Sequence, residues 1–174
     1  LTRYNADGSL DTSFGGGDGI VTILGGASSN IRCSVIQQSD GKLVVAGYAV
    51  VGSGYDDFAL IRYNADGSLD STFGGDGIVT THLGTGGDRG WSVIQQSDGR
   101  LVAAGHTGSD FALVRYNADG SLDTNFGGGD GIVLTDLGVF PDVGYSVIQQ
   151  ADGKLVVAGY THKSATVDGF PIRD

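Results

Sequence analysis

The sequence predicts an all-β protein assembled from similar antiparallel units, and three observations carry that prediction. The phrase R-Y-N-A-D-G-S-L-D occurs three times, at Arg3–Asp11, Arg62–Asp70 and Arg115–Asp123. A second phrase, S-V-I-Q-Q-x-D-G-[KR]-L-V-x-A-G, interleaves with it at Ser34–Gly47, Ser92–Gly105 and Ser146–Gly159. Internal repeats with periods of roughly 20–50 residues, or slightly more, signal a solenoid, a propeller or an array. The third observation is composition. All 20 acidic residues are Asp, Met is absent, and Gly supplies 32 of 174 residues. Glu, Lys and Met favour helix whereas Asp and Gly favour turns, so short strands and tight turns should dominate and helix should be nearly absent.

The middle unit gives each element in order. Trp91–Gln96 is a short apolar-polar run, strand A, punctuated by Ser97-Asp98-Gly99. Leu101–Gly105, strand B, is apolar on both faces, and two such runs about a short Asp-Gly segment read as a β-hairpin. Strand C is Phe111–Tyr116, followed by the turn Asn117-Ala118-Asp119-Gly120 and by Ser121–Phe126, read as strand D. Asn first and Gly last match a type I turn with Gly in the left-handed region. A connector G-G-D-G-I-V-x-T-x-L follows at Gly74–Leu83 and, with one extra Gly, at Gly15–Leu24 and Gly127–Leu137. Its Ile-Val core is expected to form an extra short strand.

Residues 1–174 thus form one repeat region. Its repeats fall approximately at 1–32 (a C–D hairpin plus connector), 33–90, 91–144 and 145–174 (an A–B hairpin plus part of a strand C). Sheets apolar on both faces need a neighbour on each side, as radial blades or stacked layers provide. Copies differ by apolar exchanges such as Ile61 for Val114 and Val45 for Ala103. Cys33, Trp91 and Tyr145 share one strand-A position, read as core, with Cys33 a small buried filler.

These phrases resemble the delta-sixty repeat family, a bacterial β-propeller domain of unknown function, and more broadly NHL-type blades. The match rests on F-A-L-[IV]-R-Y-N-A-D-G-S-L-D-[ST]-x-F-G-G-x-D-G-I-V and V-I-Q-Q-x-D-G-[KR]-L-V-V-A-G, and it spans essentially the whole chain. The resemblance implies four-stranded propeller blades in large secreted or surface-attached proteins, with no catalytic residues to transfer. Family members usually carry Pro before the turn Asp, where this chain has Ala or Ser.

In an up-and-down blade, successive loops alternate between opposite faces. The A–B and C–D turns share a nearly invariant face. The other carries the B–C loops, read as Tyr48–Asp57, His106–Asp110 and Tyr160–Gly169, which differ in length and chemistry. Binding chemistry usually resides on loops of a rigid scaffold, so this variable face is the better candidate. Three blades do not close a ring, since propellers typically need four to eight. The chain is therefore expected to be half of a six-bladed ring, completed head to tail by a second copy, or part of a longer array; an association that does not close builds a filament.

Function classes narrow by exclusion. The formal charge of −10 opposes nucleic acid and anionic membrane, and no apolar run approaches the roughly 18–20 residues of a membrane span. An Asp- and Gly-rich chain with Lys only at 42, 154 and 163 suits an extracellular or cell-surface setting. Asn64-x-Asp66-Gly67-x-x-Asp70 has the style of a calcium loop, but Arg62 occupies the first ligand position. A hairpin turn whose Asp caps backbone and pairs with the Arg is preferred. Asp18, Asp76 and Asp130 likewise read as turn residues. His82, His106 and His162 lie in three different contexts, and neither a zinc-protease motif nor a nucleophile elbow occurs. Tyr63, Phe73 and Tyr116 read as core. No catalytic, cofactor-binding or metal-binding residue is assigned. The expectation is a non-enzymatic extracellular module for adhesion, display or structural assembly, partnered by itself or by a surface polymer or protein. The alternatives are a filament-forming subunit, and a propeller enzyme of lyase or lactonase type or a calcium-dependent polysaccharide binder using the variable loops.

Overall fold

A computed structural model describes residues 1–22, 34–51, 54–84, 86–138 and 141–161, together with the short strands at 166–167 and 170–171. No helix occurs among the described residues. The first complete blade consists of β1 (Ser34–Gln37), β2 (Leu43–Val51), β3 (Tyr55–Tyr63) and β4 (Ile78–Thr81), hydrogen-bonded in that order as an antiparallel meander. The second repeats it with β5 (Asp88–Gln95), β6 (Leu101–Thr107), β7 (Asp110–Tyr116) and β8 (Ile132–Thr135). Then β9 (Asp142–Gln149) and β10 (Leu155–Thr161) form a two-stranded sheet, and β11 (Thr166–Val167) pairs with β12 (Phe170–Pro171). At the start of the chain, the bridges Thr2↔Ile20 and Tyr4↔Leu10 reproduce the outer half of a blade.

The fourth strand differs from the sequence expectation. The segment after the D-G-S turn makes only the single bridges Tyr63↔Leu69 and Tyr116↔Leu122. The fourth strand is instead the Ile-Val core of the connector, pairing Leu60↔Val79 and Leu113↔Val133. The physical reason lies in the turn that follows Leu69. Phe73 N–H donates to Asp70 O (3.0 Å), which curls the chain out of the ladder and turns Phe73 into the core.

The core lies between blades. On β6, Leu101 and Ala103 pack with Val44, Leu60, Phe58 and Phe73 of the first blade, while Val102 and Ala104 pack with Val147 of β9. Period-two alternation sends successive side chains to opposite faces, so a strand apolar throughout serves two neighbours at once. Two of the predicted B–C loops are shorter than expected, and the third, Tyr160–Gly169, lies partly outside the described residues. The β2–β3 arms stay paired out to Val51↔Tyr55, whereas β6–β7 stop at Thr107↔Asp110.

The strand-A position read as core is not core. Register slips between Gly90 and Ser92, making Trp91 the extra residue of a β-bulge, and a bulge re-aims its side chain. Tyr145, at the same position next to the shift in β9, is 46% exposed. Gly105 makes the bulge possible, because a Cβ there would collide with the Arg89 carbonyl and the Phe58 ring. Cys33 lies outside the described residues.

Candidate functional site

The two rims of the blades carry different chemistry. On the rim of the A–B and D-G-S turns, each repeat builds one clasp. Arg62 Nε donates to Asp70 Oδ2 at 2.7 Å, and its guanidinium lies 4.6 Å from the Phe73 ring centroid. Asp70 Oδ1 accepts from the Thr72 hydroxyl (2.6 Å) and backbone N–H (3.1 Å), and Lys42 Nζ reaches Oδ2 at 3.1 Å. Burial pushes the Asp70 carboxyl up, but Thr72, Lys42 and Arg62 together hold it far below the usual carboxylate range. Arg115–Asp123 (2.8 Å) with Arg100 (3.1 Å) repeats the clasp, as does Arg3–Asp11 (2.7 Å). Asp66 and its copies Asp7 and Asp119 accept the N–H of the Ser two residues on, and Gly67 closes the turn at φ 91°. Asp18, Asp76 and Asp130 do the same for Ile20, Ile78 and Ile132, each at 2.9 Å. The calcium-like loop is thus a hydrogen-bonded turn in which the Arg guanidinium already supplies the cation.

The clasp also joins blades. Arg3 Nη1 donates to Ala65 O and Arg62 Nη1 to Ala118 O, both at 2.5 Å. Gly15 N–H donates to Asp66 O and Gly74 N–H to Asp119 O, both at 2.9 Å. Gly67 and Gly120 sit against Phe14 and Phe73 so closely that a Cβ would press into either ring.

The opposite rim carries a row of aromatic rings running from blade to blade. Tyr48, at the far end of β2, meets Trp91 edge-on, centroids 6.1 Å apart. Trp91 stacks on His106 (5.8 Å) and contacts Tyr145 (5.9 Å), which contacts Tyr160 (5.7 Å). Trp91 Nε1–H donates to His106 Nδ1 at 3.0 Å, which requires that ring nitrogen to be unprotonated. Burial, then the Arg89 charge, lower the His106 pKa and favour the same neutral ring. Arg89 in turn lies 5.0 Å over Tyr48 and is held by Asp56 at 2.7 Å. Tyr48 is buried and Trp91 and His106 are half-buried, so the exposed aromatic faces of the row are those of Tyr145 and Tyr160.

Beside this row, three segments bring Asp57, His82 and Asp88 together. Thr81 pairs with Phe58 across β3 and β4, so His82, the next residue, emerges beside Asp57. Its Nδ1 lies 2.9 Å from Asp57 Oδ1 and 3.6 Å from Asp88 Oδ2. Hydrogen bonding to Asp57 raises the His82 pKa, aided by the charges of Asp57 and Asp88. Asp88 is fully buried; it accepts from the Thr107 hydroxyl and, at 2.7 Å, from Leu83 N–H.

A family model described as a domain of unknown function (DUF5122) beta-propeller matches residues 1–14, 38–73, 96–126 and 150–170. These segments hold the repeated turns and cover more than half of the chain. The chain belongs to this beta-propeller family. No curated protein matches it. The meanders of this propeller chain are therefore blades, and the matched segments include the clasp turns together with Tyr48, His106 and Tyr160 of the aromatic row but not Trp91 or Tyr145.

The residues singled out from the sequence divide accordingly. Tyr63, Phe73 and Tyr116 are buried in the core, as expected. His82 and His106 lie on the variable rim in separate clusters, and His162 lies outside the described residues. The aromatic row and the Asp57–His82–Asp88 group were not anticipated. One signal for the row was available: ring-bearing residues recur at the strand-A bulge (Trp91, Tyr145) and at the end of strand B (Tyr48, His106, Tyr160).

Proposed function

We propose that this chain is a non-enzymatic extracellular module for adhesion, display or structural assembly, and that its end blades are completed head to tail by another copy. We also read its repeats as the delta-sixty, NHL-like kind of blade. The observation that supports the assembly reading is a set of blade-joining contacts made twice between successive blades, which a further copy could extend. Among the described residues, Arg115 Nη1 and Gly127 N–H lack the carbonyl partners that their copies find, and Phe126 is half-buried where Phe73 and Phe14 are buried. At the other end Gly8 has open space where Gly67 and Gly120 meet a phenylalanine.

The strand edges match in the same way. Copying the pairing of β6 with β7 sets Leu155 opposite Tyr4, Val156 opposite Arg3 and Val157 opposite Thr2 of the second copy. Lys154, whose ammonium pairs with the exposed Asp152, then stands where Lys42 and Arg100 meet Asp70 and Asp123, facing Asp11 of that copy. Two chains joined this way at both seams contribute four complete and two composite blades, a count typical of closed propellers. Composition supports the extracellular setting, with 20 Asp, few Lys and a charge of −10.

Light scattering across a concentration series tests the reading. A discrete species of twice the 17.8 kDa chain supports the ring; a ladder or fibres supports a filament-forming surface subunit. A stable monomer at micromolar concentration contradicts both. A second reading, a polysaccharide-binding module, is favoured by the aromatic row, and its test is loss of glycan binding in Trp91→Ala with the melting transition retained.

A further inference from the structure

We propose that Asp57, His82 and Asp88 form a binding site for a first-row divalent cation of the zinc class. One ligand atom from each residue lies within 4.8 Å of the others, and the set mixes one ring nitrogen with two carboxylate oxygens. Zinc holds N and O ligands at about 2.0–2.2 Å, which places neighbouring ligand atoms roughly 3.0–3.5 Å apart. The separations from His82 Nδ1, 2.9 Å to Asp57 Oδ1 and 3.6 Å to Asp88 Oδ2, bracket that range. Calcium is a poorer fit, since it takes six to eight oxygen ligands and this site offers a nitrogen and few donors.

The electrostatics point the same way. A ring nitrogen carries one proton or one lone pair, so Nδ1 serves Asp57 and leaves Asp88 Oδ2 facing it beyond hydrogen-bond reach. Asp88 is fully buried, and an incompletely compensated buried carboxylate is costly. A dication between the three satisfies both carboxylates and takes the ring lone pair. Asp88 is already oriented by the Thr107 hydroxyl and Leu83 N–H, the outer-shell support that metal ligands commonly have. The His82 side chain is 62% exposed, so the site has an entry path and room for water as a further ligand.

The next blade lacks this arrangement. Its aligned residues are Asp110, Asp136 and Asp142, with a carboxylate in place of the imidazole. Asp136 Oδ1 accepts Gly138 N–H, and Asp110 Oδ1 accepts the Ser109 hydroxyl. The zinc-class set forms where the first blade meets the second, Asp57 and His82 coming from the first and Asp88 from the start of β5, and only this junction has a histidine.

The experiment is calorimetric titration of chelator-treated protein with zinc chloride and, separately, calcium chloride, repeated on His82→Ala and Asp57→Asn. Both substitutions fall on the rim, and circular dichroism melts verify that each variant folds. The expected result is saturable zinc binding near one ion per chain, without comparable calcium binding. Each variant should weaken it by at least the roughly 10–100-fold that outer-shell partners alone are worth. Absence of saturable zinc binding, binding that survives both substitutions, or calcium binding of equal strength each overturns the assignment.

Discussion

The clasp rim and the aromatic rim are opposite ends of the same strands, yet one is written three times in nearly the same words and the other changes with every copy. On the clasp rim Arg3 and Arg62 each reach a carbonyl of the next blade, and Phe14 and Phe73 each seat on its glycine. Repetition there is a packing requirement, since every blade must present what its neighbour receives. On the other rim, Tyr48, His106 and Tyr160 hold one position, and His82 and Asp136 another, without disturbing the ladders. Uniformity therefore marks the joints of this molecule, and difference marks the surface available for recognition.

Substitutions should separate the rims by size of effect. The largest is expected at Asp70. Replacing it by Asn leaves the buried Arg62 guanidinium without its counter-charge, and breaking a buried pair costs about 3–5 kcal/mol. Urea denaturation of D70N should show that loss. Gly105→Ala comes next, costing about 1–3 kcal/mol by overpacking the bulge against the Arg89 carbonyl and Phe58. On the aromatic rim, Trp91→Ala should cost only about 1 kcal/mol, because its ring is partly solvated and its partners can close over the gap. Equal losses for D70N and W91A would erase the distinction between the rims.

The pH dependence sharpens the same contrast. Asp70 has a depressed pKa when folded, so its contribution is present above the ordinary carboxylate value of 3.8 and is lost as pH falls through the folded value. Acid unfolding should be steep below about pH 4 in the parent and shallower in D70N. His82 has a raised pKa, so its contribution is complete below 6.5 and fades as pH rises through the folded value. That effect should be small, given an exposed ring, and absent in His82→Ala. The smallest expected change is Lys154→Asp, about a fivefold weakening of self-association measured by analytical ultracentrifugation, in keeping with exposed ion pairs.

Much of the fold was legible because its determinants are local. Asp-Gly turns, the doubly apolar strand B and the Arg-Tyr ending of strand C each state their role within a few residues. The fourth strand was misassigned because Ser-Leu-Asp-x-x-Phe alternates like a strand. Only the tertiary contacts of Asp70 with Arg62 and of Phe73 with Gly120 reveal it as a turn. Trp91 and Tyr145 were misread for a different reason. A one-residue bulge re-aims a side chain, and period-two reasoning cannot detect an inserted residue. The glycines flanking and facing it (Gly90 and Gly105, Gly144 and Gly159) were the available sign. The Asp57–His82–Asp88 group joins residues 25 and 6 positions apart through strand pairing, so no contiguous motif announces it.

The proposal of head-to-tail assembly holds that copies of this chain join through the same contacts that join its blades. Sedimentation equilibrium on the 174-residue chain across micromolar concentrations tests it most directly. A species of twice the chain mass is expected, or larger head-to-tail multiples where the ring does not close. A folded monomer throughout that range would contradict it.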